Sequence, residues 1–340
     1  MKPLKEVLAG LKRGPTDVVG VDVASSGIKV VRMRNHGGVI TVVAAGVLPP
    51  LSPGNTTDAP PALDLPGRLK ARNAALTFTA QGAIVKLLSF PGTFDARAES
   101  KVTESMGLDD PDRYRVGYKI ISEGHGRAES RILAVAHVEE EAQRIPQLLP
   151  TGIPAPRSIE ISGLATMAAF LHALPEKDRL GAVGVIDFGD TTTTYALFNR
   201  GLLSLVRRFN FGTNSLLEKV QNSLGVDRDT AQGIITDGSF DISQSLTDIL
   251  EPLIKQLMVS RDFVERRENC RITRLFVSGG LARSRDALEE VRAAMDVELQ
   301  SWNPFEGLSI AKDALPPDLV GQEWRLAAAA GACLGAFEES

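Results

Sequence analysis

At 340 residues, 43% apolar and 5% aromatic, the chain has the composition of an ordinary globular protein and a length beyond one comfortable core, which predicts two domains. A formal net charge of −4 argues against broad affinity for nucleic acid, and two cysteines far apart, Cys270 and Cys333, argue against a zinc cluster or a disulfide framework and for a reducing cytoplasm. No apolar run approaches the roughly 20 residues that span a bilayer and no signal-peptide pattern precedes the first strand, so a soluble or at most peripheral protein is expected.

Residues 1–13 place Leu4, Val7, Leu8 and Leu11 at helical spacing with Lys2, Lys5, Lys12 and Arg13 mostly off that stripe. This reads as a basic amphipathic helix, either packed or resting on an anionic surface or in a partner groove. Strands are predicted at 18–23, 28–34 and 39–48, with His36-Gly37-Gly38 turning between the last two, and residues 49–62 read as a loop. Two more strands, 75–80 and 83–90, meet at Gln81-Gly82. A small α/β insert follows: a helix near 95–107, strands at 114–122 and 130–138, and a closing helix at 139–149.

Beyond Thr151-Gly152-Ile153-Pro154-Ala155-Pro156 come a strand at 157–161 and an Ala-rich helix at 162–173. The strand pattern of the N-terminal region then returns at 182–187, 191–197 and 202–209, an internal duplication of a three-strand unit. Helices at 213–224, 227–236 and 243–268, a strand at 272–277 and a helix at 283–294 come next. The last predicted helix, 321–337, carries Ala327-Ala328-Ala329-Ala330-Gly331-Ala332, residues small enough for close packing. The expected division is an N-terminal segment 1–17, a first domain of 18–94 and 157–180, the insert at 95–156, and a second domain of 181–340.

Three turns carry the chemistry. Val19-Gly20-Val21-Asp22-Val23-Ala24-Ser25-Ser26-Gly27-Ile28-Lys29 and Val183-Gly184-Val185-Ile186-Asp187-Phe188-Gly189-Asp190-Thr191-Thr192 are buried-type strands that reach an Asp and turn through a hydroxyl cluster. Such hairpin tips can offer backbone N–H groups and hydroxyls to phosphate oxygens, with the Asp placed to hold hydrated Mg²⁺. The third, Leu275-Phe276-Val277-Ser278-Gly279-Gly280-Leu281, is a strand opening on Gly-Gly, where a flat base or sugar can lie against bare backbone. Together they predict a nucleotide cleft split between two domains. His36, His125, His137 and His172 show no metal-ligand spacing, and Arg261, Arg266, Arg267, Arg271 and Arg274 read as a solvated basic face.

In this order the motifs resemble the actin/Hsp70/sugar-kinase superfold, and within it the PilM family of type IV pilus assembly, from about residue 18 to 337. The carrying residues are the Asp22 hairpin, the insert, the helix after Glu160, the Asp187 hairpin, the run Phe211-Gly212-Thr213-Asn214-Ser215-Leu216-Leu217-Glu218, the Ser278-Gly279-Gly280 turn and Asn303-Pro304-Phe305. The resemblance implies an α/β fold of duplicated actin-like (RNase H-like) domains facing across a nucleotide cleft, with the α/β insert in the first. It implies ATP and Mg²⁺ as cofactors, with Ser25, Ser26 and Lys29 approaching the β- and γ-phosphates and Asp22 and Asp187 organising Mg²⁺ through water. Gly189, Thr191 and Thr192 would cradle phosphate, Gly212 would belong to the same cofactor-binding set, Glu218 would face the ribose, and Gly279 and Gly280 would lie under the adenosine.

It implies, further, a cytoplasmic scaffold peripheral to the inner membrane. Such a scaffold would hold the N-terminal cytoplasmic peptide of a PilN-like bitopic membrane protein near the insert, alongside other platform or motor proteins. Four departures from the family pattern predict weak or lost ATP binding and little hydrolysis: Ala24 for Gly, Asp190 in the second phosphate turn, Ile235 and neutral Gln232 where a Lys is usual, and Ser162 where a second acid follows Glu160. The rival readings are an active ATPase or small-molecule kinase of the same superfold, an FtsA-like filament protein, which would carry a C-terminal amphipathic tail, and a type II secretion platform protein, which would continue into a membrane span.

Overall fold

Fourteen strands and nine helices order the described residues of the computed structural model, which are 14–51, 62–95, 99–126, 128–237 and 240–338. The predicted N-terminal helix lies outside them, as does most of the 49–62 loop. In chain order the elements are β1 (Asp17–Ala24), β2 (Gly27–His36), β3 (Val39–Leu48), β4 (Asn73–Phe78), β5 (Ile84–Pro91), α1 (Glu99–Met106), β6 (Tyr114–Ser122), β7 (Glu129–Val138) and α2 (Glu139–Arg144). Then follow β8 (Ala155–Ile161), α3 (Ser162–Ala173), α4 (Glu176–Arg179), β9 (Ala182–Phe188), β10 (Thr193–Asn199), β11 (Leu202–Phe209), α5 (Thr213–Leu224), α6 (Arg228–Asp237) and α7 (Ser243–Glu268). The chain closes through β12 (Arg274–Gly279), α8 (Arg285–Met295), β13 (Glu298–Ser301), β14 (Ser309–Ile310) and α9 (Ala327–Glu338).

The chain forms two compact units. Unit 1 takes residues up to 78, then 144–173 and 303–340, and is built on the sheet β14-β3-β2-β1-β4-β8. Unit 2 takes 79–143 and 174–302 and holds the sheet β11-β10-β9-β12-β13 and a smaller sheet, β5-β7-β6. The duplication expected from sequence is present. In each large sheet a three-strand antiparallel meander (β1-β2-β3, β9-β10-β11) is extended on its first strand by parallel strands, β4 and β8 in one, β12 and β13 in the other. Parallel additions need crossover helices that cover the faces, so these strands read as near-continuous apolar runs: Val18, Val19 and Val21 in β1 and Leu275, Phe276 and Val277 in β12 are all buried.

These units are drawn differently from the domains expected from sequence, because the insert's sheet groups with the second meander and residues 303–340 group with unit 1. The C-terminal segment joins unit 1 through backbone. β14 adds in parallel to β3, and α9 lies against α3 and the β1 face. A Cβ on Gly331 would sit 1.8 Å from the Ala165 carbonyl oxygen, and one on Gly20 would sit 1.9 Å from that of Ala329, so only this small-residue pairing permits the approach. The buried Cys333 thiol sits within 3.2 Å of the Val31 carbonyl oxygen, and burial raises its pKa well above the ordinary thiol range.

Other departures are local. The strands expected to meet at Gln81-Gly82 part into different sheets, β4 in unit 1 and β5 in unit 2, with Ala80 at φ +47° starting the divergence. The helix expected at 139–149 stops at Arg144, and a short 3-10 turn at Pro146–Leu148 follows, since Pro146 has no N–H to continue the ladder. The last helix begins at Ala327 after a separate turn, Glu323–Leu326. The short elements α4, β13 and β14 were not expected.

Candidate functional site

In unit 1 the predicted residues gather at one end of the β1–β2 hairpin. Ser25 and Ser26 form its exposed two-residue tip, Gly27 at φ +130° leads into β2, and the Lys29 ammonium donates to Ser26 Oγ at 2.9 Å. Asp22 lies directly opposite Thr77 of β4 and is buried. Its Oδ1 accepts from Thr77 Oγ1 at 2.8 Å and from Ser162 Oγ, at the start of α3, at 2.6 Å. Ser162, predicted as an unhelpful stand-in for a catalytic acid, is thus a donor to Asp22. A buried carboxylate needs such donors, and two hydroxyls on one oxygen satisfy it.

Unit 2 repeats the arrangement. Asp187 of β9 is paired with Ser278 of β12, whose hydroxyl donates to Asp187 Oδ1 at 2.8 Å. The 189–192 turn closes on itself through Gly189 N–H to the Thr192 carbonyl oxygen at 3.0 Å. The Thr213 and Asn214 N–H groups, the first of α5, donate to the carbonyls of Gly189 and Asp190, each at 2.9 Å. Gly212 makes this contact possible: its Cβ would lie 2.3 Å from the Asp190 carbonyl oxygen. Gly279, at φ +84° and hard against Phe188, ends β12 beside the same turn, and Gly280 packs on Thr213. Asp187, Gly189, Thr191, Thr192, Gly212, Gly279 and Gly280 therefore share one end of this sheet, while Glu218 sits on the exposed side of α5.

Two consequences bear on phosphate binding. The amides that open α5, the usual anion donors of a helix N-terminus, are already taken by the carbonyls of the turn. Asp190 is buried within that turn, which puts a carboxylate in the stretch expected to cradle phosphate. Among the described residues no group of three or more His, Cys, Asp or Glu gathers to hold a metal ion directly. The fit of a triphosphate to unit 2 is therefore poor. Of the other predicted departures, Ile235 packs in the hydrophobic core of unit 2, so it is not a neutral residue on a ligand surface, while Gln232 is exposed and Ala24 pairs with Gly27 beside the tip.

Asn303-Pro304-Phe305 also has a structural role. Asn303 Oδ1 accepts from the Phe305 N–H at 2.9 Å, and the buried Phe305 ring fixes the turn that leads into β14. A feature that sequence reading missed is a cleft beside β11. The strand carries one residue more than its partner there, Ser204, between the pairs Phe198–Leu203 and Leu197–Leu205. Strand alternation shows no such insertion, and no motif announces it.

Comparison with known proteins agrees with this architecture. The sequence model described as Type IV pilus assembly protein PilM matches residues 115–337, about two thirds of the chain. Among solved structures, the chain matches a "PilM-PilN type IV pilus biogenesis complex" with TM-score 0.76 and 17% identity, covering 94% of this chain and 98% of that one. At that identity the likeness is one of fold. An archaeal actin homologue (TM-score 0.46, 14% identity, 95% of this chain and 100% of that one) and the ethanolamine utilization protein EutJ from Carboxydothermus hydrogenoformans (0.43, 15%, 94% and 90%) are more distant. No curated protein matches the sequence. No helix among the described residues is long and apolar enough to cross a membrane. Duplicated β-meander sheets with an added α/β insert, and a family match over most of the residues, place this chain in the type IV pilus assembly protein PilM family.

Proposed function

We propose that the protein is a cytoplasmic actin-fold scaffold of the type IV pilus inner-membrane platform. It holds the N-terminal cytoplasmic peptide of a PilN-like bitopic membrane protein, stays peripheral to the membrane, and binds ATP and Mg²⁺ weakly. The observation that carries the reading is the family match together with a likeness that covers nearly all of both chains in the comparison with the PilM–PilN complex. The insert and the strands within 75–90 are the part assigned to the peptide. The turns at Asp22, Ser25, Ser26 and Lys29 and at Asp187, Gly189, Thr191, Thr192, Gly212, Glu218, Gly279 and Gly280 are the remnant of a nucleotide site, with Asp22 and Asp187 as its Mg²⁺ side.

Support for the weak-nucleotide part comes from the buried Asp190, from the α5 amides spent on the turn, and from Ser162 acting as a donor where a base would be needed. Calorimetric titration of the full chain tests both halves. A synthetic N-terminal peptide of a PilN-like protein should bind, and Mg–ATP should give little heat and no sustained phosphate release. A silent peptide titration would refute the scaffold reading, and steady hydrolysis would establish an ATPase instead.

A further inference from the structure

A cleft of about 470 Å³ opens within unit 2, between β5 and β7 of the small sheet on one side and β11 and α7 on the other. That volume is in the range of specific ligand sites. Its floor is the bulge at Ser204. The extra residue turns its carbonyl into the cleft, where it accepts from Arg131 Nη2 at 3.0 Å and from Arg267 Nη2 at 2.7 Å. Two guanidinium groups thus converge on one neutral oxygen.

Their carboxylate supply is unequal. Glu268 accepts from Arg267 at 2.7 Å, from Ser204 Oγ at 2.6 Å and from Asn199 Nδ2 at 3.2 Å, so its two oxygens are engaged. Arg131 has no carboxylate within ion-pair distance among the described residues. Its pKa is lowered, first by burial and then by the like charge of Arg267, against the smaller opposing pull of Glu268 and Glu129. Arg207, exposed, adds a third guanidinium, against Glu129 and Glu268 as the acids of the lining. Arginine presents five N–H groups in a planar fork, and the contacts above occupy one on Arg131 and part of Arg267's set, so donors remain on two residues that line the cleft. The cleft is held in place on strand backbone, and its lining carries three guanidinium groups against two carboxylates.

The rim extends the recognition beyond a single charge. The Arg267 guanidinium stacks 4.9 Å from the Phe263 ring centroid, and Phe263 is 49% exposed. One helical turn earlier Val259 is 60% exposed, so an apolar strip runs out of the cleft along α7. A small metabolite would not reach that strip, whereas a polypeptide would cover it.

We propose that this cleft is a docking site for an acidic, extended segment of a protein partner, whose carboxylate is gripped by Arg131 and Arg267 above Ser204 while an adjoining apolar side chain rests on Phe263. It is a second binding surface, recognised by charge, beyond the N-terminal peptide reading given above. Fluorescence anisotropy on the full chain tests it, with a short fluorescein-labelled peptide alternating Glu and Leu and a counterpart with Gln for Glu. The Glu peptide should bind at least about tenfold more tightly than the Gln peptide, and salt should weaken it. Arg131→Gln and Arg267→Gln should each lose about tenfold in affinity, whereas Arg292→Gln, on the exposed face of α8, should bind as the parent does.

The half-exposed Arg267 keeps the test informative even if the Arg131 variant folds poorly. Equal binding of Glu and Gln peptides, or indifference to Arg267→Gln, would overturn the proposal. So would displacement by free glutarate as effective as that by unlabelled peptide, which marks a metabolite site, or retention only on phosphatidylglycerol vesicles, which marks a lipid surface. The PilN-like N-terminal peptide should leave the Glu–Leu probe in place. If it displaces the probe, the second surface does not exist, and the scaffold reading is untouched.

Discussion

Thr77 donates to Asp22 at the same position in the parallel-strand register at which Ser278 donates to Asp187. The two pairs sit in duplicated sheets, each with the acid on the first strand of the meander and the hydroxyl on the parallel neighbour. They differ in burial, since Asp22 is buried and Asp187 only partly so, and Asp22 also takes the Ser162 hydroxyl. Removing a donor from a buried carboxylate costs about 1–3 kcal/mol, less where water can substitute. Thr77→Val should therefore destabilise the protein by about 2 kcal/mol and Ser278→Ala by no more than about 1 kcal/mol. Urea unfolding of both variants checks this, and equal costs would mean that the two acids are equally dry.

Helix packing gives a pair of glycine predictions of opposite sign. Gly331→Ala drives a methyl into the Ala165 backbone, where nothing flexible can yield, and should cost about 3 kcal/mol. Gly233, inside α6, has nothing within 4 Å of a built Cβ, so Gly233→Ala should stabilise by roughly 0.5–1 kcal/mol through the unfolded chain. Thermal melts of the two variants should move in opposite directions. A tolerated Gly331→Ala would mean that α9 does not lie on α3.

His137 of β7 sets a pH dependence. Burial lowers its pKa most, Glu141 raises it and Arg208 lowers it again, and the net shift is downward from the ordinary value of 6.5. The folded state thus binds a proton at this site less readily than the unfolded one. Its stabilising contribution is complete above about pH 6.5 and drains as pH falls from there through the depressed folded value. Stability measured from pH 7.5 to 5 should decline, and His137→Gln should flatten that slope. A histidine whose NMR titration midpoint lies above 6.5 would contradict the sign.

Asp190→Ala should raise the affinity for Mg–ATP by about tenfold or more, because it removes a carboxylate charge from beside the expected phosphate position. The turn should survive, since its backbone is held by Thr213 and Asn214 N–H groups and not by the side chain alone. Calorimetry on parent and variant decides this. Tight binding by the parent would mean that the charge is compensated, and silence from both would mean that the occupied α5 amides are the larger obstacle.

Much of the architecture was legible because buried parallel strands write themselves as apolar runs ending in small residues. β1, β9 and β12, with Asp22, Asp187 and Gly279-Gly280 at their ends, follow that rule, and α3, α5 and α7 carry the expected bounds. What was not legible depends on partners that local pattern does not encode. α9 is apolar on every side, so its composition demands burial without saying in which unit, and the answer lies in the bare backbones of Gly20 and Gly331. Ile235 was matched through the family resemblance to a position where a Lys is usual, and the helix turns it into the core. The roles of Ser162 and Ser204 depend on contacts with Asp22, 140 positions away, and Glu268, 64 positions away, which no window of sequence spans.

The small-residue helix α9 also sets an order of events during biosynthesis. Cys333 touches the carbonyl of Val18 across 315 positions of chain, so one face of β1 stays uncovered until α9 has been made. Every strand of unit 2 has by then been made. The second unit can therefore mature on the ribosome before the first, whose β1 face waits for α9 to emerge. In that interval Val18 and its neighbours are a sticky surface that the cell must shield, and a message cut short before Ala327 would leave it exposed for good.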